Sequence, residues 1–151
     1  MRGPTCGVLL SSAFALVIGC SGGPDKFKEQ RPKVIPATGR VTYKDQPVEG
    51  ATVTFAPEGG VGVAAVAITE PDGKFVLKAF DPDEGAVPGK YKVSIVKIEV
   101  IPAPPAGHDA VSRPPTKKYH VPQKYEDPEK SGLKAEVADG QKNDFPFDLK
   151  D

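Results

Sequence analysis

The 151-residue sequence predicts an all-β protein, two packed sheets following an N-terminal export segment. Three observations carry this expectation. Gly and Pro are abundant, 16 and 17 residues, and punctuate the chain at short intervals. Between them, apolar residues alternate with polar ones at period two, the signature of strands with one buried face. Seven such strands fit in about 115 residues, and two packed sheets are the natural way to bury their inner faces.

The chain opens with Arg2 and an apolar run from Val8 to Ile18, interrupted by Ser11 and Ser12. A positive start, a short apolar stretch and small residues at its end describe a secretory signal. The run is too short to span a bilayer comfortably. It ends in Leu16-Val17-Ile18-Gly19-Cys20, which resembles the bacterial lipobox. The resemblance implies removal of residues 1–19 as a lipoprotein signal peptide. It also implies acylation of Cys20, with a palmitate-type chain or a related one, and a membrane partner through that anchor. Two or three acyl chains hold a protein where one holds it weakly. Ser21 follows the cysteine; in the sorting pattern of two-membrane bacteria an Asp there favours the inner membrane, so the resemblance leans to the outer membrane. An ordinary signal peptide with a chance cysteine is the competing reading.

Residues 20–36 read as a linker, with Gly22, Gly23, Pro24, Pro32 and Pro36 among charged residues, a composition with too little apolar surface to fold alone. From residue 37 the strands follow in order. Val41 and Tyr43 share one face. Asp45-Gln46-Pro47 reads as a turn, and Ala51, Val53 and Phe55 form the inner face of a second strand. Pro57 to Gly62 is a glycine-rich loop. Ala64 to Thr69 is a third strand, with Val66 and Ile68 expected inward. Pro71-Asp72-Gly73 is a tight turn. Phe75, Leu77 and Ala79 then alternate with Lys74 and Lys78. The longest strand runs from Lys90 to about Ile101. Its apolar phase shifts after Ile95, so a bulge flips its faces or its second half covers a different surface. Residues 102–132 hold seven prolines and read as a long loop. Leu133, Ala135 and Val137 form one closing strand. Phe145, Phe147 and Leu149 form the other, which Pro146 confines to an edge or a bulge. This makes a seven-stranded antiparallel β-sandwich.

Several of these residues resemble the carboxypeptidase-regulatory-like domain: Gly39, Val41, Pro47-Val48, Gly50-Ala51, Val53 and Phe55; then Thr69, Asp72-Gly73, Phe75 and Leu77; then Pro88-Gly89, Tyr91 and Val93. The stretch Lys124-Tyr125, Pro128, Ser131 to Leu133 and Asp144 to Leu149 is similar to the ending of small bacterial lipoproteins built on that domain. The resemblance covers about Ile35 to Asp151 and implies a transthyretin/Ig-like sandwich over residues 37–151. Its matches are turn glycines and core hydrophobes, informative on fold and silent on activity. No metal-binding or catalytic residue of the peptidases carries over.

Charge and cysteine content narrow the function. Arg2 is the only charged residue of the removed segment, leaving 19 basic against 20 acidic residues and no general attraction to nucleic acid. Cys6 leaves with the signal and Cys20 becomes a thioether, so no intramolecular disulfide is expected. His108 and His120 stand in no metal-ligand spacing and read as solvated loop residues. Asp81, Asp83 and Glu84 lack the glycine and distal glutamate of a calcium loop and read as a polar turn. There is no nucleophile elbow, phosphate-cradling loop or dinucleotide fingerprint. Catalytic, metal and cofactor-binding residues are therefore expected to be none, and the chain is expected not to be an enzyme. Tyr119 and Tyr125, beside lysines in the long loop, are the candidate interaction residues. Tyr125 is expected to pin the loop to the sandwich, while Tyr119 is open between pinning and contact with a partner. The sequence-level reading is a cell-envelope lipoprotein whose sandwich is a structural or protein-interaction module. The alternative is a carbohydrate-binding module, against which the absence of Trp counts mildly.

Overall fold

The computed structural model describes residues 31–103 and 114–151. The predicted signal, Cys20 and most of the linker lie outside them, as does His108. Residues Pro32–Asp151 form one compact unit. It is nearly all β, with ten strands among the described residues: β1 (Ala37–Tyr43), β2 (Gln46–Pro47), β3 (Thr52–Pro57), β4 (Ala65–Ile68), β5 (Lys74–Val76), β6 (Gly89–Val96), β7 (Ile98–Ile101), β8 (Thr116–Tyr119), β9 (Leu133–Val137) and β10 (Asn143–Leu149). One four-stranded sheet has β1 at its centre, with β10 on one side and β2 and β5 sharing the other. The second four-stranded sheet runs β4-β3-β6-β9, all antiparallel. β7 and β8 form a separate two-stranded ribbon.

The core lies between the two larger sheets, and Phe55 of β3 is its hub. Its ring meets Phe75, Phe145 and Phe147 of the first sheet at centroid separations of 6.4, 5.5 and 6.1 Å, and Tyr91 of its own sheet at 5.7 Å. Tilted and edge-on packing at such distances suits the ring quadrupoles. Val41, Val53, Val93, Ile95, Leu77 and Leu149 are fully buried around this cluster. Gly39, between the Phe75 ring and the β10 backbone, has no substitute. A Cβ there would lie 2.3 Å from the Phe145 carbonyl oxygen and 2.4 Å from Phe75 Cζ.

Among the described residues, buried polar side-chain atoms all have hydrogen-bond partners. The Thr69 hydroxyl accepts from the Ala51 N–H at 2.8 Å, and the Ser131 hydroxyl donates to the Val93 carbonyl and accepts from the Leu133 N–H. Asn143 closes the turn between β9 and β10: its side chain accepts from the Ala138 N–H and donates to the carbonyls of Ala138 and Gln141.

Five expectations are corrected. First, Val66 and Ile68 point outward, and Ala65, Ala67 and Thr69 are the buried residues of that strand. Register explains it: Phe55 opposes Ala65 and Val53 opposes Ala67, and directly opposed residues share a face. The Phe55 ring fills the space, so only small neighbours fit. Second, the sandwich is not wholly antiparallel, because β1 and β10 pair in parallel over seven residues. The chain has crossed from β9 in one sheet to β10 in the other, which frees β10 from hairpin geometry. Third, the first turn sits one residue earlier. Lys44 and Asp45 both take positive φ, and Tyr43 pairs with Gln46 across them, the geometry of a two-residue hairpin. Fourth, the stretch from Lys90 to Ile101 is two strands parted at Lys97 rather than one strand with a bulge; its second half leaves the sheet for the ribbon, the other outcome that the phase shift allowed. Fifth, residues 102–132 carry β8 and a 3-10 turn over Gln123–Tyr125 rather than loop alone. Pro146 lies on β10 at the edge of its sheet, opposite Arg40.

Candidate functional site

Three surface regions gather side chains that the core does not use. The first is the outward side of β4 and β5, consecutive strands that belong to different sheets and are joined by a tight turn and a bridge between Val66 and Lys78. Val66 and Lys78 exchange both backbone hydrogen bonds, and the Glu70 N–H donates to the Lys74 carbonyl at 2.7 Å. Val66, Ile68 and Val76 are 42, 69 and 38% exposed, an aliphatic stripe accompanied by exposed Lys74, Lys78 and Glu70. The turn between the two strands is firm. One Asp72 carboxylate oxygen accepts from the Lys74 N–H at 3.0 Å, and the other lies 2.7 Å from Lys74 Nζ. These Lys74 contacts hold the Asp72 carboxyl below the usual carboxylate range. Arg40 Nε donates to the Asp72 carbonyl across the sheet.

The second region is the β7–β8 ribbon and the 3-10 turn beside it. Glu99 pairs across the ribbon with Lys118, and its carboxylate lies 3.0 Å from His120 Nε2. Tyr119 is half-buried; its hydroxyl donates to Glu126 at 3.3 Å and accepts from Gln123 Nε2 at 3.4 Å. Partial desolvation, reinforced by the Glu126 charge, raises the Tyr119 phenol above its usual range. Tyr125 is buried instead, donating to the Lys150 carbonyl and accepting from the Lys150 N–H, both at 3.0 Å. It fixes the turn to the end of β10. The two tyrosines therefore do different things: Tyr125 is structural, while Tyr119 offers a ring edge, an amide and a carboxylate to the surface. Val100 and Ile101 stand exposed at the far end of the ribbon.

The third region is a concavity of about 320 Å³ at the end of the sandwich where the chain enters, lined by Pro57, Val61, Val63, Val87, Pro88 and Tyr91 among others. The buried Tyr91 hydroxyl joins its two walls, donating to the Val87 carbonyl at 2.6 Å and lying 3.5 Å from that of Val63. Burial raises this phenol's pKa. A shallower hollow of about 390 Å³ continues along Lys90, Lys134 and Glu136 and shares Glu58, Lys90 and Tyr91 with the first.

Metal-ligating side chains do not converge. Among the described residues no group of three His, Cys, Asp or Glu is placed to hold an ion. Glu84 lies 3.7 Å from Lys78, and Asp81 and Asp83 belong to the same bend. Cys20 and His108 lie outside the described residues. The sequence reading missed the Val66–Ile68–Val76 stripe because alternation alone does not say which face is inward. The available signal was that Ala65, Ala67 and Thr69 also alternate and that a phenylalanine, Phe55, must be accommodated across from them.

No family model matches the chain, and no curated protein matches it. Among solved structures, a 9R-lipoxygenase from Cyanothece PCC8801 aligns with 76% of this chain and 16% of its own length, at 12% identity and a TM-score of 0.36. The chain thus spans about a sixth of that protein, and a likeness of this degree carries no argument for a shared fold or activity. One expectation is withdrawn all the same. The sequence reading held that the chain is not an enzyme, yet the matched structure is an enzyme's, and the exclusion is withdrawn.

Proposed function

We propose that this is a lipid-anchored protein of the bacterial cell envelope whose transthyretin-like sandwich holds a partner protein on the outward side of β4 and β5. The anchor rests on Cys20 and the apolar run before it. The sandwich type rests on the resemblance of the turn glycines and core residues, and two facing four-stranded sheets accord with it. The observation that carries the binding role is the exposed stripe Val66–Ile68–Val76. Three exposed branched aliphatics on the consecutive strands β4 and β5, accompanied by exposed Lys74, Lys78 and Glu70, have the make-up of an interaction patch, an apolar centre in a polar border.

The test has two parts. The mass of the N-terminal peptide from membrane-extracted protein is expected to begin at Cys20 and to include acyl chains; an unmodified peptide starting elsewhere refutes the anchor. Photo-crosslinking from position 68 in intact cells is expected to give a discrete protein adduct that is absent from position 134 on β9, the opposite edge of the same sheet. A blank at position 68 refutes the binding face. The carbohydrate reading retains one supporting observation, the Tyr119–Gln123–Glu126 group, in which a phenol hydroxyl, an amide and a carboxylate lie within 3.4 Å of one another. Glycan-array binding abolished by Tyr119→Ala would favour that reading over the protein one.

A further inference from the structure

The two ends of the sandwich are unlike, and one of them is tied to the chain that leads from Cys20. Ile35 exchanges both backbone hydrogen bonds with Ala86, at 2.8 and 3.0 Å. Ala86 is followed by Val87 and Pro88, one wall of the apolar concavity. The opposite wall is the glycine-rich loop, with Val61 at its tip and 88% exposed. At the other end of the β3–β6 ladder, Thr52 pairs with Val96, and the ribbon begins there. Six residues of strand, on the order of 20 Å, separate the two ends.

Cys20 stands eleven residues before Arg31, the first described residue. A chain of that length spans at most about 40 Å. A domain so tethered meets its membrane at an effective concentration on the order of millimolar, so a contact with a dissociation constant of about 1 mM is about half occupied. A small apolar tip then suffices. Val61, with Val63, Pro57 and Pro88 beside it, is such a tip. Lys90, at the rim of the concavity, makes no ion pair among the described residues and can lay its stem along the apolar wall while its ammonium meets a phosphate headgroup. Glu58, the acidic group on the same rim, is paired with Lys134 at 3.5 Å.

We propose that the Val61 loop and the concavity behind it rest on the lipid surface that holds Cys20, so that the ribbon end faces away from the membrane. The inference depends on the anchor reading, and the experiment separates the two. The chain has no tryptophan, so Val61→Trp supplies a single reporter at an exposed position, and Val100→Trp supplies one at the opposite end. Each full-length, membrane-extracted variant is reconstituted into vesicles of phosphatidylethanolamine and phosphatidylglycerol containing brominated lipid, then floated on a density gradient. The expected result is co-flotation of both, with blue-shifted, lipid-quenched emission at position 61 and aqueous, unquenched emission at position 100. Flotation with aqueous emission at position 61 overturns the contact and spares the anchor. Absence of flotation overturns both. Quenching at position 100 instead reverses the orientation and refutes the proposal. A blue shift at position 61 without vesicles assigns the tip to a second copy of the chain, and refutes it too. Val61→Asp in the otherwise unaltered protein should remain anchored and lose protection of Lys90 from amine-reactive label by vesicles; unchanged protection overturns the proposal without reliance on a bulky reporter.

Discussion

Phe55→Ala tests whether one ring organises the core. The side chain is fully buried and packs against four aromatic rings, three of them from the facing sheet. Truncating a buried phenylalanine costs about 3–5 kcal/mol when the site cannot collapse. Collapse is resisted here because the ring's neighbours lie on two separate sheets, and each ring pair lost contributes about 0.5–1.5 kcal/mol beyond its area. A loss of about 4 kcal/mol is therefore expected. Against a domain stability of about 5–15 kcal/mol, that is a large share. Urea unfolding followed by far-ultraviolet circular dichroism should show the midpoint falling by about 2 M with the slope unchanged. Ala65→Leu, which crowds the same ring from β4, should cost about 1–3 kcal/mol by overpacking. A Phe55→Ala loss under about 1 kcal/mol would refute the account of the core as a ring cluster bridging the sheets.

Gly39→Ala is expected to destabilise severely, because its Cβ would lie 2.3 Å from a backbone oxygen that the parallel β1–β10 pairing holds in place; thermal unfolding checks this. Ser131→Ala leaves the Val93 carbonyl and the Leu133 N–H without the hydroxyl between them, and should cost about 1–3 kcal/mol by the same urea assay. The carboxyls of Asp72 and Asp139 are held below their usual range, chiefly by Lys74 and Lys33 respectively. Groups whose pKa is lower folded than unfolded stabilise the fold above the unfolded pKa, and that contribution is lost as pH falls through the folded pKa. Stability from these pairs should therefore be flat at neutral pH and decline below about pH 4, with a shallower decline in Asp72→Asn; urea midpoints across that range decide it.

The strands were legible wherever period-two alternation met a strong turn. Ala51, Val53 and Phe55 on one side and Phe75 and Leu77 on the other are buried as their spacing predicts. Pro71-Asp72-Gly73 makes the turn it spells, Gly73 taking a φ of 79°. What alternation does not encode is which of two alternating sets faces inward when both are apolar, and β4 is that case. Nor does it encode pairing partners: the parallel β1–β10 ladder joins residues more than a hundred positions apart. The phase shift after Ile95 was visible, and its meaning, departure from one sheet into a ribbon, depends on β8, which proline content had marked as loop. Tyr125 was readable as a pin from its place just before the closing strands. Tyr119 was not assignable, since its surroundings come from the ribbon and the 3-10 turn together.

The composition of β4 is hard to derive from folding alone. Its two largest side chains, Val66 and Ile68, are outside, and two alanines are inside. Branched residues favour strands, so conformational preference is one explanation for valine and isoleucine at these positions. Threonine satisfies that preference equally and is soluble, and the neighbouring strand uses it at Thr52 and Thr54, the residues paired with Ile68 and Val66. On the proposed reading, the aliphatics on β4 and at Val76 answer to something that threonine does not supply, burial against a partner. Replacing Val66, Ile68 and Val76 together with threonine should leave the urea midpoint within the change expected of exposed sites, about 0.5 kcal/mol each, and abolish the crosslink from a neighbouring probe position such as 78. A triple variant that unfolds would show these side chains supporting the sandwich, and one that keeps its crosslink would place the partner elsewhere. A stable variant that loses the crosslink assigns the stripe to recognition.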